Sequence, residues 1–514
     1  MDRTDNRYVP NKDQMAGYCE KYNYVPIKRE IFSDVCTPIQ ALKRLKAVSN
    51  HVFILESVEN QENWGRYTFL GFNPRLCITC VDGHLTVNND LNATIDDLQI
   101  KHPGEYIKET ISEYRSPKLD DFPSFTGGLV GYFSYDYIKY AEQGLKLKAN
   151  DDENFKDVDL MLFDKVIAFD NVKQKIVIVA NVSVADRTMM LNRGTPSFKP
   201  NMDYINGEYD KAVKDIDNIV DIICNGKEVE PCRGVLKSEY RRLFDKQEYC
   251  DMVRRGKEYI KEGDIFQVVL SNRLDADFEG SLLDTYRVLR TINPSPYMFY
   301  FSGDDVEVAG ASPETLVKLE GDVLHTYPLA GTRRRGKDEK EDAALKAELL
   351  ADEKECAEHN MLVDLGRNDI GKISEFGTVE VEKYMDVVKF SHVMHIGSTV
   401  RGTLRSDLCQ LDAIDSILPA GTLSGAPKIR ACEIIDELEN NKRGIYGGAI
   451  GYIDFMGNLD TCIAIRLAYK KNGRVFVRSG AGIVADSVPE NEYKECLAKA
   501  GAVMDAIKAA SEEI

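Results

Sequence analysis

Two pairs of glutamates have the residue type and the spacing that a hard divalent cation needs. Glu355 and Glu358 lie three residues apart in a stretch that predicts a helix opening at Asp352, so both face the same side. Glu492 and Glu495 repeat this spacing at the start of the last predicted helix. Carboxylates from two helices leave room for waters and a substrate oxygen, as Mg²⁺ requires. The helix dipole or a solvated acidic face would explain the same spacing, so the pairs alone leave metal binding open.

A glycine-rich segment, RSGAGIVADS, precedes the second glutamate pair. Its Gly480-x-Gly482-x-x-Ala485 spacing matches a dinucleotide-binding fingerprint. That fingerprint requires the glycines to open a helix at once, whereas Pro489 delays the helix in this chain. The segment therefore indicates a turn whose backbone N–H groups face an anion, with a purely structural turn as the alternative.

Three further segments contain residues that could do chemistry. LPAGTLSGAPK precedes a predicted helix whose first amides could bind an anion, but it is not a P-loop, since no Ser or Thr follows Lys428. His392 and His395 lie in a β-branched run, where this spacing places them on opposite faces, so shared metal binding is not expected. Each is either a core histidine or a general acid or base. Arg466 lies inside the apolar run LDTCIAIRLAY and is either a salt-bridge residue or a carboxylate clamp.

Hairpins and helices alternate around these residues. Each hairpin consists of two β-rich runs joined by a short polar turn, which implies antiparallel sheet. The predicted hairpins cover 166–180, 300–310 and 466–480. The predicted helices cover 208–226, 248–263, 352–369 and 490–511. The fold class is therefore α+β, with antiparallel sheets flanked by helices, instead of a regular βαβ array.

Composition argues against several classes of function. The net charge of −18 disfavours sequence-independent nucleic-acid binding, because a phosphate backbone needs excess basic charge. No apolar run reaches the roughly 18 residues of a membrane-spanning helix, and the first residues lack the apolar stretch of a signal peptide. A cytoplasmic protein without membrane contact is expected. The C-x-x-C of Cys77 and Cys80 has no second pair, so reduced thiols are predicted in place of a zinc site.

In their order along the chain, these motifs resemble the chorismate-utilising enzymes, and within them the anthranilate synthase component I family. The resemblance is dense over residues 245–510 and weaker before them. It implies one α/β body in which antiparallel sheets enclose the active site. Polar, turn-rich residues place a boundary near 230–245, so 1–240 is expected to be regulatory and 241–514 catalytic. The segments that match are GDIFQVVLSNR, NPSPYMFYF, GASPETLVK, PLAGTRRRG, EKECAEHNMLVDLGRND, HVMHIGSTVRG, LPAGTLSGAPK, GGAIGYIDFMGNLDTCIAIR and SGAGIVADSVPENEYKE.

The resemblance assigns roles to individual residues. Glu314 matches the general acid of the family, and His395 matches the histidine used to eliminate pyruvate. The ligands implied for Mg²⁺, which would hold the ring carboxylate of chorismate, are Glu358 and Glu495, with Glu355 and Glu492 in support. The substrate-binding residues implied are Gly331, Thr332, Thr422, Tyr446, Arg466, Gly480, Ala481, Gly482 and Lys499.

The activity implied is a lyase reaction in which ammonia adds at C2 of chorismate, the C4 hydroxyl leaves, and pyruvate is eliminated to give anthranilate for tryptophan biosynthesis. Relatives that use water carry a lysine where this chain has Gln267, and relatives that form a covalent adduct carry one at Ala330. No glutaminase domain is recognisable, so ammonia would come from a separate glutamine amidotransferase subunit. The alternatives are aminodeoxychorismate synthase component I and a non-catalytic chorismate-binding homologue.

The N-terminal half carries a possible regulatory segment, ILESVENQENWGRYTFLG (54–71). It is similar to the tryptophan-binding segment of the family, which implies feedback inhibition by L-tryptophan. The alternative is a strand end and a proline turn in the core. The tryptophan-binding residues implied are Leu55, Glu56, Ser57, Pro296, Tyr297 and Met298.

Overall fold

Two large antiparallel sheets form the framework of the protein. The computed structural model describes residues 7–57, 65–89, 94–195, 198–229, 232–389 and 393–512. The strands are β1 (Tyr24–Phe32), β2 (Val52–Glu56), β3 (Tyr67–Phe72), β4 (Leu76–Val81), β5 (His84–Asn89), β6 (Thr94–Gln99), β7 (Gly128–Phe133), β8 (Val158–Phe163), β9 (Lys165–Asp170), β10 (Lys175–Ser183), β11 (Val235–Leu236), β12 (Arg241–Arg242), β13 (Gln267–Glu279), β14 (Tyr297–Ser302), β15 (Glu307–Ser312), β16 (Thr315–Glu320), β17 (Val323–Thr326), β18 (Leu329–Arg334), β19 (Glu380–Lys389), β20 (Val393–Thr403), β21 (Gly425–Ala426), β22 (Ala449–Asp454), β23 (Leu459–Ile463), β24 (Leu467–Lys471) and β25 (Arg474–Ile483).

Helices cover the outer faces of both sheets. In the described part of the chain they are α1 (Pro38–Lys46), α2 (Pro103–Ser112), α3 (Ile138–Ala141), α4 (Arg187–Asn192), α5 (Met202–Asn225), α6 (Lys246–Glu262), α7 (Leu283–Ile292), α8 (Glu339–Ala351), α9 (Glu353–Gly371), α10 (Gln410–Ile417), α11 (Lys428–Glu439) and α12 (Pro489–Glu512). Helix α5 begins earlier than the sequence pattern predicted, because the Asn201 side chain accepts a hydrogen bond from the backbone N–H of Tyr204 and caps it.

Strands from both halves of the chain share each sheet. The first sheet runs β1-β10-β9-β3-β2-β14-β15-β24-β25-β13-β11, and β12 and β21 also pair with β13. The second runs β18-β20-β17-β16-β23-β22-β7-β8-β4-β5-β6, and β19 also pairs with β20. Because β2 pairs with β14 and β7 with β22, residues on either side of position 240 are interleaved. The division of roles between 1–240 and 241–514 stays a prediction.

The central core lies between the two sheets. In β14, Phe299 and Phe301 face the second sheet, whereas Met298 and Tyr300 pack in the cluster formed with the outer helices. Alternation of this kind buries a strand on both faces, so its sequence is a continuous apolar run without a polar side. The inner cluster also contains Tyr132 of β7, so side chains from both sheets meet there.

Several expectations about local structure are confirmed. The α+β class holds, and the three predicted hairpins are β9–β10, β14–β15 and β24–β25. Cys77 and Cys80 lie on opposite faces of β4, and the twelve cysteines, all within the described ranges, are in the reduced form. No helix in the described ranges is long and apolar enough to cross a bilayer.

Candidate active site

Both sheets and the first turns of α9 and α12 border a cavity of about 610 Å³. Glu314 lies between β15 and β16 and Arg466 between β23 and β24, so each occupies a link where the chain passes from one sheet to the other. The two sheets therefore fix these side chains against each other. The predicted residues that border the cavity are Glu314, Gly331, Thr332, Glu355, Glu358, His395, Thr422, Tyr446, Arg466, Gly480, Gly482, Glu492, Glu495 and Lys499.

Ala481 does not border the cavity, because its side chain is fully buried in the core beside α6 and α11. On the neighbouring strand β13, the backbone N–H groups of Val269 and Ser271 donate to partners outside β25. Along an antiparallel pair of strands, residue pairs that exchange hydrogen bonds alternate with pairs that do not. The Ala481 N–H therefore donates a hydrogen bond across to β13. The amides of Gly480 and Gly482 then point away from β13. Three backbone amides were expected to bind an anion, and this geometry is compatible with two of them, those of Gly480 and Gly482.

Glycine is required at these positions because the cavity wall approaches closely. A Cβ on Gly480 would lie 3.0 Å from the Tyr446 hydroxyl, and one on Gly482 would lie 2.6 Å from the side-chain nitrogen of Gln267. Gly331 has φ +66°, and a Cβ there would lie 3.1 Å from a carboxylate oxygen of Glu355. Larger residues would therefore occupy the space in which a ligand is held.

Arg466 has the properties of an anion clamp. No hydrogen bond or ion pair to its guanidinium occurs within the described ranges, and burial lowers its pKa, with Tyr446 opposing the shift. Its backbone has φ +53°, a left-handed conformation that is unfavourable for an arginine. The Arg466 carbonyl accepts a hydrogen bond from the backbone N–H of Ala311 at 3.0 Å, which holds this conformation. Of the two alternatives from the sequence, the geometry favours a clamp for an external carboxylate.

Glu314 is placed to act as an acid. Burial raises its pKa to about 7, against weaker lowering by the Thr422 hydroxyl and the Lys499 ammonium. Thr422 Oγ1 donates to its carboxylate at 3.1 Å, and Ile463 N–H donates to its backbone carbonyl at 2.9 Å. A carboxyl group that is partly protonated near neutral pH can donate a proton to a leaving group.

His395 is oriented by the strand opposite it. Its Nδ1 lies 2.8 Å from the Gly331 carbonyl, which can only accept, so Nδ1 carries the proton. Thr332 Oγ1 lies 3.1 Å from the same nitrogen. Burial lowers the pKa of His395, the bond to Gly331 raises it and Arg466 lowers it further. The ring is therefore neutral near pH 7, with Nε2 as its basic nitrogen.

The four glutamates converge on the side of the cavity formed by α9 and α12. Burial, followed by the neighbouring Glu355 carboxylate, raises the pKa of Glu358. Burial and Glu495 raise that of Glu492. Lys499 Nζ lies 2.7 Å from Glu495 and partly compensates its charge.

A bound cation would relieve this repulsion. Within the described ranges, no three acidic, histidine or cysteine side chains approach closely enough to form a complete metal cage. Carboxylate oxygens are the ligands that a hard cation prefers, and such an ion would need further oxygen ligands from water and substrate here, so Mg²⁺ binding stays a prediction.

A buried ion network lies beneath the cavity, and sequence reasoning missed it. Glu439 accepts hydrogen bonds from Arg443, from Arg478 at 2.7 Å and from the Ser271 backbone at 2.7 Å. Arg443 also donates to the Leu423 carbonyl at 2.6 Å, which fixes the loop that carries Thr422. Two guanidinium groups against one carboxylate leave a net positive charge under the cavity. The sequence feature that could have predicted this network is the presence of arginines inside apolar runs, such as FVRSG.

A second cavity of about 300 Å³ collects all the residues predicted to bind tryptophan. The Ser57 hydroxyl is buried there without a hydrogen-bond partner among the described residues. Glu56 accepts from Arg290 Nη2 at 3.0 Å and from Tyr286, so its carboxylate is already paired with α7. The residues concerned are Leu55, Glu56, Ser57, Pro296, Tyr297 and Met298.

Two other sequence features lie elsewhere. Lys428 does not border the large cavity; its ammonium donates to Asp369 and to the Ile417 carbonyl, each at 2.8 Å. His392 lies outside the described residues, so its expected position opposite His395 stays a prediction.

Known proteins share both the sequence and the fold. The chain matches the family described as chorismate binding enzyme over residues 55–505. Anthranilate synthase component 1 of Acetivibrio thermocellus is 45% identical over 506 residues, covering 98% of this chain and 99% of the relative. That of Aquifex aeolicus (strain VF5) is 43% identical, covering 97% and 98%. The crystal structure of anthranilate synthase component I from Streptococcus pneumoniae TIGR4 has a TM-score of 0.72 at 35% identity, covering 92% and 98%.

The raised pKa of Glu314 predicts a stability effect that is independent of any assay of activity. Keeping the carboxyl group protonated favours the folded state fully below about pH 4.5, and this advantage is lost as pH rises through about 7. Glu314→Gln should therefore have a free energy of unfolding about 3 kcal/mol higher than that of the parent protein at about pH 8. Urea unfolding across pH measures this difference, with the exposed Glu239→Gln as control. A difference that does not change with pH would show that Glu314 ionises normally.

Proposed function

Since the chain belongs to the chorismate-binding enzymes and, within them, to the anthranilate synthase component 1 family, we propose that it makes anthranilate from chorismate with Mg²⁺ and ammonia. The observation that carries the proposal is one cavity in which four glutamates lie with a protonatable Glu314 and with Arg466, whose guanidinium is unpaired among the described residues. A dicarboxylate that must lose a hydroxyl group fits each of these features.

The cavity offers a separate site for each carboxylate of the substrate. Arg466, beside Tyr446, is placed to hold the enolpyruvyl carboxylate, and the amides of Gly480 and Gly482 face the ring carboxylate. Glu358 and Glu495 would hold Mg²⁺, supported by the glutamates one turn earlier. When bound, Mg²⁺ would polarise the ring carboxylate and offset its charge against the glutamates.

In the first step, ammonia adds at C2 and the C4–O bond breaks. Glu314 donates its proton to the departing hydroxyl, which leaves as water. In the second step, His395 accepts the proton from C2 through Nε2 while the C3–O bond breaks. Enolpyruvate leaves and becomes pyruvate, and aromatisation of the ring favours this elimination. The neutral state of His395 near pH 7 suits it to act as a base.

Two wall residues favour ammonia over other nucleophiles. Gln267 is buried at the cavity, where an amide can position a nucleophile but cannot take its proton. Ala330 has no amine that could form a covalent adduct. We infer that a glutamine amidotransferase subunit supplies the ammonia. Aminodeoxychorismate synthase component I is the second candidate for the activity. The cytoplasmic location expected from the sequence stays a prediction.

We further propose that L-tryptophan binds the second cavity and inhibits the enzyme. Its walls combine apolar side chains with the Ser57 hydroxyl, which has no hydrogen-bond partner in the described part of the chain, and this combination suits an aromatic amino acid. Tyr297 borders the second cavity, and its hydroxyl lies 3.0 Å from Thr315 Oγ1 and donates to Asp460 at 2.9 Å. Because Thr315 follows Glu314 in the chain, a shift of Tyr297 would reach the proposed acid.

The activity is tested by incubating the protein with chorismate, MgCl₂ and ammonium at alkaline pH and following anthranilate fluorescence. We expect anthranilate with Mg²⁺ present and none after chelation with EDTA.

Glu314→Gln should lower kcat by about 10²–10⁴-fold, the range for a general acid. His395→Gln should release aminodeoxyisochorismate instead. Aminodeoxychorismate, isochorismate or no product from the parent protein would refute the proposed activity.

The tryptophan site is tested with Ser57→Arg, whose side chain would fill the second cavity. We expect inhibition by tryptophan to be lost while kcat and KM for chorismate stay unchanged. Ser112→Arg adds the same charge at an exposed helix end and should remain sensitive. Unchanged inhibition of Ser57→Arg would place the tryptophan site elsewhere.

A further inference from the structure

A small cavity of about 40 Å³ lies behind Glu314, and we refer to it as the rear chamber. Glu314 and Thr422 border both this chamber and the large cavity, so the acid forms part of the wall between them. The opposite side of the chamber is formed by α9, including Gly366 and Asp369. A volume of this size accommodates one to about three water molecules.

Asp369 and Glu314 are the two carboxylates at the border of the rear chamber, whose other walls are mostly apolar. The residue is only 4% exposed, and its Oδ2 accepts from Lys428 Nζ at 2.8 Å. Oδ1 accepts no hydrogen bond of normal geometry within the described ranges; the neighbouring Asn368 side chain acts on the carboxylate and lowers its pKa, and Lys372 Nζ lies 3.9 Å from Oδ1. A buried carboxylate oxygen without a partner is rare, and an ordered water is its usual complement.

The proposed reaction creates a need that this chamber could meet. Glu314 loses its proton when the C4 hydroxyl leaves, and the product then fills the large cavity on its front side. Thr422 and Lys499 are the side chains that act on the pKa of Glu314. Neither provides a path for a proton from solvent to the rear side of the Glu314 carboxyl group. The proton must return before the next turnover.

We propose that water in the rear chamber connects Asp369 to Glu314 and returns the proton that Glu314 donates. This inference rests on the proposed function. Addition of ammonia at C2 first gives an ammonium group, which releases one proton to solvent from the large cavity, while Asp369 takes one proton from solvent and passes it through the chamber water to Glu314. The overall exchange is therefore neutral, and one molecule of water is released. Lys428 and Lys372 are the cations nearest to Asp369, and Lys499 is the cation that acts on Glu314.

Two variants change the rear chamber in different ways. Asp369→Asn keeps the shape but removes the carboxylate that exchanges protons. Gly366→Ala adds a methyl group, whose carbon would lie 3.1 Å from Thr326 Cγ2, another residue of the chamber, and it alters no charge. The control is Asp364→Asn on the same helix, since Asp364 is 72% exposed and pairs with Arg367 at the surface.

The measurements are kcat, KM for chorismate and the solvent deuterium isotope effect on kcat, with saturating ammonium. We expect kcat to fall about tenfold in Asp369→Asn, below the full effect of losing a general acid. KM should be unchanged, and the isotope effect should rise in both chamber variants but not in the control. An unchanged isotope effect in both variants, with a parent protein that makes anthranilate, would overturn the relay alone. A parent protein that makes no anthranilate would overturn the proposed function as well.

Discussion

The ion network of Glu439, Arg443 and Arg478 is the interaction on which the rest of the site depends. The chain carries a net charge of −18, and glutamates border the cavity, so an anionic ligand would meet repulsion unless local cations offset it. The network keeps two guanidinium groups beneath the cavity with one carboxylate between them. It also joins β13, β25 and the loop of Thr422, so the same bonds provide both charge and shape.

The functional groups are held in states that reduce stability. Glu314 is a largely desolvated acid, Arg466 is in a left-handed conformation with no side-chain partner among the described residues, and like charges meet at the glutamates. Each state is unfavourable by itself and persists because the surrounding sheets fix it. Strands buried on both faces, as in β14, supply the apolar burial that offsets these costs. Glu314 and Arg466 lie on links between the sheets, so the packing of both sheets holds them in place.

Sequence reasoning anticipated the elements better than the relations between them. The hairpins and helices followed from periodicity and caps, and the glutamate pairs from their spacing on helices. The interleaving of both halves in each sheet could not be predicted, because pairs such as β2 with β14 join residues far apart in the chain. The role of Ala481 was overestimated, since the direction of its N–H depends on the ladder with β13. Glu439 gave no local signal, because its partners come from three other elements.

We propose that Mg²⁺ and chorismate bind together in the large cavity, where the glutamates of α9 and α12 would hold the metal. Calorimetric titration of chorismate into Glu314→Gln, which should bind without turnover, tests it directly. The account predicts that chorismate binds at least about tenfold more tightly with Mg²⁺, and that Mg²⁺ binding tightens by the same factor with chorismate. Equal chorismate affinity with and without Mg²⁺ would contradict it.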